Sequence, residues 1–252
     1  MQRVSQILFA AVLVGLGAVT LIYHDFAMEW QPVPAWVPAR AAVADGSGII
    51  LLVCGVGLLI PASAAWASCL TLVYCFVWMM LKVPALVAVP LVEANWAGLG
   101  ELLVIFAGAL ALFLRLAPTP LVRVGRDDVL AGRLLGAAVI TTGLGHFVYA
   151  KETAGFVPHW IPHPLFVAYA TGAIQLVCAV ALLFSTVRGR AAILQSAMFT
   201  AFTVLVWIPA VVAAPSGRFP WTALLISSII TMAGWLVAAD IVAQPQSART
   251  TT

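Results

Sequence analysis

The side chains best suited to chemistry in this 252-residue sequence gather in its second half. His146 falls about one helical turn inside the end of a long apolar run, and Tyr149, Lys151 and Glu152 follow it, with His159 and His163 further on. An ionisable group at membrane depth is costly, so it is expected to face protein or a ligand rather than lipid. An imidazole in such a place can hydrogen-bond to a neighbouring helix, donate to a quinone carbonyl or relay protons. Gln175 puts a neutral amide in the next apolar run, and Trp160 adds a flat apolar ring between the two histidines of the loop. His159 and His163 are four apart, the spacing of a helical metal pair, but Trp160, Pro162 and Pro164 interrupt any helix there. A three-ligand set with Glu152 or His146 can be drawn, yet the helical geometry fails and no metal site is expected. The first half lacks the set, with His24 and Asp25 in place of the His146 region and Ala35 opposite His159. Any polar site therefore belongs to the second half.

Other polar residues read as local partners. A Lys82–Glu101 pair is sterically plausible, although snorkelling of Lys82 to water is the simpler account. Asp25 and Asp45 flank the first loop and could pair with Arg40. Cys54, Cys69, Cys75 and Cys178 form no C-x-x-C pair and read as buried thiols. There is no G-x-S-x-G, no phosphate-binding loop and no dinucleotide fingerprint; Gly15-x-Gly17 and Gly143-x-Gly145 sit inside apolar runs and read as packing.

The elements that must position these residues are transmembrane helices. Residues are 63% hydrophobic and 8% charged, with a mean hydropathy of +1.10, which leaves too few charges to coat a soluble domain. Apolar runs long enough to cross a bilayer fall at 6–23, 45–61, 66–82, 98–116, 129–150, 165–185, 191–213 and 221–242. The expected fold is all-α, a polytopic bundle of about eight transmembrane helices, with the first run retained rather than cleaved as a signal. The net charge of +3 is small and dispersed, which argues against nucleic acid and leaves the lipid bilayer as the first partner.

An even number of crossings puts both termini on one side. That side carries Arg3, Arg115, Arg123, Arg126, Arg133, Arg188, Arg190 and Arg249, against Arg40, Lys82, Lys151 and Arg218 on the other. The positive-inside rule then makes the termini cytoplasmic, in the plasma membrane. Trp30, Trp36, Trp78, Trp96, Trp160, Trp207 and Trp221 fall near the opposite boundary, so the loops there are expected to rest on the membrane or fold over the helix ends.

The halves resemble one another. Val33-Pro-Ala-Trp-Val-Pro38 matches Val157-Pro-His-Trp-Ile-Pro162 at a spacing of 124, as Gly48 matches Gly172 and Val53-Cys54 matches Val177-Cys178. After a slip of one, Val83-Pro-Ala85 matches Ile208-Pro-Ala210 and Trp96 matches Trp221. Four spans per half make the copies parallel repeats about an axis along the bilayer normal. The expected division is a first repeat at 1–116, a cytoplasmic linker at 117–128, a second repeat at 129–243 and a tail at 244–252. The paired prolines around each Trp should hold a stiff turn outside the helices. Gly48, Gly172 and the Gly132-x-x-x-Gly136 pair should allow helices to approach closely.

Gly143-Leu-Gly-His146, Val157-Pro-His-Trp-Ile-Pro162, Tyr169-Ala-Thr-Gly172-Ala-Ile-Gln175 and Arg188–Ala191 together resemble the DoxX-like family of small four-helix membrane proteins. The resemblance covers about residues 130–242 clearly and the first half weakly, so the chain looks like a tandem of two such units. The family includes a membrane subunit associated with thiosulfate:quinone oxidoreductase. The resemblance thus implies a quinone-interacting or redox-partnered subunit with no catalytic centre of its own, binding an apolar ring near His146, Trp160 and Gln175. Family members often carry Glu after the Thr-Gly of the second helix, where this chain has Gln175 and, in the first half, Leu51. The alternative is a non-catalytic scaffold or small-solute carrier.

Overall fold

The computed structural model describes residues 2–27, 30–117 and 128–243, with Asp128 described by its backbone alone. Most of the expected linker and the whole of the expected tail lie outside the described residues. The described chain is all-α: α1 (Gln2–Tyr23), α2 (Arg40–Leu59), α3 (Ala64–Ala88), α4 (Glu93–Leu116), α5 (Asp128–Val148), the short α6 (Ala150–Gly155), α7 (Pro164–Phe184), α8 (Arg188–Phe202), α9 (Ile208–Ala213) and α10 (Arg218–Ala243). A π-helical turn, Thr203–Trp207, joins α8 to α9. Eight of these segments, counting α8 to α9 as one, are long and apolar enough to cross a bilayer, so the chain is a multi-pass membrane protein. Large apolar side chains such as Val87, Phe166, Val177 and Phe184 remain exposed around the bundle, as lipid contact requires.

Close packing follows from small residues. A methyl group on Gly17 would stand 2.7 Å from the Gly48 carbonyl oxygen, and one on Gly55 2.6 Å from that of Ala10, so α1 and α2 touch backbone to backbone. The same holds for α5 and α7, where a methyl on Gly136 or Gly172 would lie 3.1 Å from a carbonyl oxygen of the facing helix. Likewise α4 meets α10, where a methyl on Gly108 would stand 2.6 Å from Ala233 Cα. Dispersion and close backbone approach, rather than a hydrophobic drive, hold helices together in lipid. Around this seam α1 packs on α2, α3 on α4, α5 on α7 and α8 on α10, while α1 also meets α10 and α5 meets α4.

Connections 24–39, 89–92, 149–163 and 214–217 lie at one end of the bundle, here termed the loop face, and 60–63 and 185–187 at the other. At the loop face, Trp36 and Trp160 project with 80% and 74% of their surface exposed, as interfacial anchors do. Ala39 and His163 follow the proline-flanked tryptophans, and both take left-handed backbone before α2 and α7.

Two expectations change. The third span does not end near Lys82: α3 runs on through Pro84 to Ala88, because neighbouring helices can take over what a proline disrupts inside a membrane helix. Lys82 is consequently buried, at 7% exposure, rather than snorkelling to water. Trp30 and Trp78 do not sit in a lipid-facing belt. Both are core residues, at 2% and 7% exposure, because the first loop folds down into the bundle.

That loop is a plug. Phe26, Ala27, Trp30 and Gln31 are all buried. Phe26 meets Trp78 edge-on with ring centroids 5.6 Å apart. The Gln31 amide donates to Ser47 Oγ at 2.9 Å and to the Tyr74 hydroxyl, while its oxygen accepts from the Ala27 N–H at 2.9 Å. Asp25 latches the plug from above, accepting from Arg40 at the start of α2 and from Arg218 at the start of α10, the latter at 2.7 Å. Arg40 also lies 5.2 Å over the Phe26 ring, a cation–π contact. Asp45 pairs instead with His24, at 3.0 Å.

Candidate ligand-binding site

A cavity of about 830 Å³ opens among α4, α5, α6 and the loop after it, α7, α8, the π turn and α10, with Trp30 of the first loop also in its wall, which is mostly apolar. That size and character suit a small organic ligand. Two adjacent helices build a polar patch of the wall, apart from Glu101, Thr153 and Ser227. Thr142 and His146 are four apart on α5, and Thr171 and Gln175 four apart on α7, so each pair shares one helix face. Gly172 lets the helices close: a methyl there would stand 2.7 Å from His146 Cβ.

The hydrogen bonds run in a chain. Thr142 Oγ1 donates to Gln175 Oε1 at 3.0 Å, and Gln175 Nε2 lies 2.9 Å from His146 Nε2. His146 Nδ1 in turn lies 3.0 Å from Thr171 Oγ1 and 3.3 Å from the Ala168 carbonyl oxygen. These contacts close with a neutral imidazole protonated on Nδ1, whose Nε2 accepts from the Gln175 amide. One N–H of that amide then has no partner among the described residues and is left for an acceptor in the cavity. Phe202 stacks on the His146 ring with centroids 5.6 Å apart and planes at 30°, giving the polar patch a flat apolar neighbour.

The opposite side of the cavity is shaped by the π turn. Pro209 has no N–H and would crowd the preceding turn of a regular helix. The chain widens just before it, and Leu205, Val206 and Trp207 of the widened turn line the cavity. Thr203 fastens the turn to α10, its hydroxyl 2.7 Å from Ser227 Oγ and 2.8 Å from Thr231 Oγ1. In α3 the matching Pro84 lies inside one continuous helix. Phe156, Trp207 and Phe219 form an aromatic row, with successive centroids 5.7 and 5.9 Å apart, and Phe156 and Phe219 are half exposed.

Of the residues singled out in the sequence, His146 and Gln175 meet in this cavity. Trp160, His159 and His163 are exposed on the loop face and do not line it. Tyr149 also stands apart, its hydroxyl accepting from the Ala94 N–H at 3.3 Å and tying the 149–163 connection to the start of α4. Among the described residues, no three His, Cys, Asp or Glu side chains converge as metal ligands would. Sequence reasoning missed Thr142, Thr171 and Phe202. The two i, i+4 polar pairs in adjacent apolar runs were the available signal for the threonines; nothing in the sequence marked Phe202.

A family model described as a domain of unknown function (DUF8561) matches residues 135–227, from within α5 into α10. The matched segment carries the polar patch, Phe202 and the π turn. Neither a curated protein nor a solved structure matches the chain.

Proposed function

We propose that this membrane protein binds a neutral, planar, carbonyl-bearing ring of the quinone class in the second-half cavity, with any electron transfer supplied by a redox partner. The observation that carries the reading is the uncommitted Gln175 N–H beside the neutral His146, set in a mostly apolar cavity with Phe202 for stacking. A carbonyl oxygen satisfies the spare donor, and the ring fills the apolar remainder. Among the described residues the lining carries no Lys or Arg, and its acidic residue is Glu101 on α4.

The architecture is read as a tandem of two DoxX-like units. Two like features at matched positions support it: Trp96 Nε1 donates to the Pro90 carbonyl and Trp221 Nε1 to that of Pro215, each six residues back, and left-handed caps recur at Ala39 and His163. Helix pairing agrees, since each contact of the first four spans has a counterpart in the last four. The positive-inside count puts the loop face outside the plasma membrane and the termini in the cytoplasm.

Titration of purified protein in lipid nanodiscs with naphthoquinone, followed by tryptophan fluorescence, tests the ligand. Saturable binding that Gln175→Leu weakens is expected; a linear response with no plateau overturns the reading. The competing reading is a small-solute carrier, and the π turn beside the aromatic row is what favours it, since such turns recur at functional sites in helices. Flux at background in proteoliposomes removes it.

A further inference from the structure

The two halves treat the same space differently. Ser47 and Thr171 are 124 apart, and Tyr74 and Phe199 are 125 apart, the register that relates the halves before and after the slip of one. Thr171 and Phe199 line the second-half cavity. Their counterparts Ser47 and Tyr74 bond instead to the Gln31 amide, which sits with Phe26 inside the first half. In the same register Leu51 of α2 stands where α7 has Gln175. In the second half the equivalent loop, with α6, lines the cavity through Thr153, Phe156, Val157 and Ile161 instead of filling it, and Phe156 is 53% exposed.

We infer that Phe26 and Gln31 are a built-in occupant of a second, latent site for carbonyl-bearing rings in the first half, held in place by Asp25 between Arg40 and Arg218. The inference rests on the duplicated architecture and the ring-binding reading proposed above. The occupant shows the chemistry the space accepts: a primary amide at the polar end, bonded to two hydroxyls, and an aromatic ring packed on an indole. Both are groups that a neutral aromatic ketone or amide reproduces. The latch joins the halves, because Arg218 opens α10 while Asp25 opens the plug. Its Arg218 also donates to the Phe26 carbonyl oxygen, so releasing Arg218 frees the plug at two points.

Benzophenone tests this, because it is an aromatic ketone that crosslinks on illumination where it binds. The full chain in nanodiscs is labelled with and without excess naphthoquinone, and the crosslinked peptides are mapped by mass spectrometry. Wild type is expected to carry competable label in the second half only. Asp25→Asn, which weakens the latch, and Phe26→Ala, which removes the plug ring, are each expected to raise competable label on 47–78 of α2 and α3 by roughly fivefold, the yield expected when about 1 kcal/mol of plug closure is lost. Should Phe26→Ala fail to fold, Asp25→Asn leaves the plug side chains intact and decides alone. Wild-type label already equal on 47–78, or folded variants with no gain there, overturns the inference. Absence of competable label in the second half counts against the ring-binding reading of that cavity, while label on 47–78 of the variants still decides this one.

Discussion

In the proposed ring-binding reading Gln175 matters most, because among the described members of the polar chain it has a hydrogen-bond donor left over. Its replacement by leucine, the residue at the matching position Leu51, is expected to weaken naphthoquinone about tenfold in the fluorescence titration, the cost of one good hydrogen bond. Leu51 shows that an apolar side chain packs at that position, being fully buried in the first half. The protein should therefore stay monodisperse on size-exclusion chromatography. Gly172→Ala acts through geometry instead. The added methyl meets His146 Cβ at 2.7 Å, so α5 and α7 must part or strain, at about 1–3 kcal/mol. Thermal unfolding in detergent reads this directly, with Gly46→Ala as the comparison, since nothing lies within 4 Å of a methyl there.

At the scale of elements, the loop latch carries a pH dependence. Burial pushes the Asp25 carboxyl up, but the hydrogen bonds from Arg40 and Arg218 outweigh it and hold the group below its ordinary value of 3.8. A carboxylate depressed in the folded state contributes stability that is fully present above the unfolded value and is lost as pH falls through the folded one. Melting temperature is thus expected to be insensitive to Asp25 near neutrality and to fall below about pH 4, with Asp25→Asn removing that part of the acid dependence. Melting curves of the two proteins that run parallel down to that pH would contradict the latch. The π turn depends on a different fastening, the Thr203 hydroxyl between Ser227 and Thr231. Thr203→Val leaves those hydroxyls without their shared partner inside the bundle, and a loss of about 1–2 kcal/mol is expected in the same melting measurement.

For the whole molecule, the eight crossings fix a labelling pattern. Cysteines introduced at Trp36 and Trp160 are both exposed and belong to the loop face, so an impermeant maleimide should reach both from one side of sealed vesicles. A cysteine at Ser185, in a connection at the other end, should react only from the opposite side. Reaction of positions 36 and 160 from opposite sides would break the arrangement. The plug adds a second consequence at this scale. Asp25 of the first loop bonds Arg218 of α10, the helix that carries Ser227, Ile226 and Ile230 into the cavity, and Trp30 of the same loop lines that cavity directly.

Length and hydropathy by themselves determined the eight spans, because in lipid every backbone group must find its partner within its own helix, and only an apolar run of sufficient length can do so. The proline-flanked tryptophans were equally legible as non-helical turns, and Gly48, Gly172 and Gly136 as points of close approach, since both effects are set by the residue and its immediate neighbours. The meeting of His146 with Gln175 across α5 and α7 was half visible, in that each residue stood out, while their contact depends on how two helices turn toward each other. What only the tertiary structure decided concerns residues whose surroundings come from distant chain. Trp30 and Trp78 look like interfacial anchors in sequence and are core because the first loop descends. Lys82 looks like a helix end and is buried because α3 passes through Pro84. The 149–163 connection, with a similar Trp–Pro pattern, lines the cavity instead of filling it, and that difference leaves a cavity in one half and a plug in the other. Local sequence governs how a segment folds, but which space it fills is set by packing against helices far away in the chain.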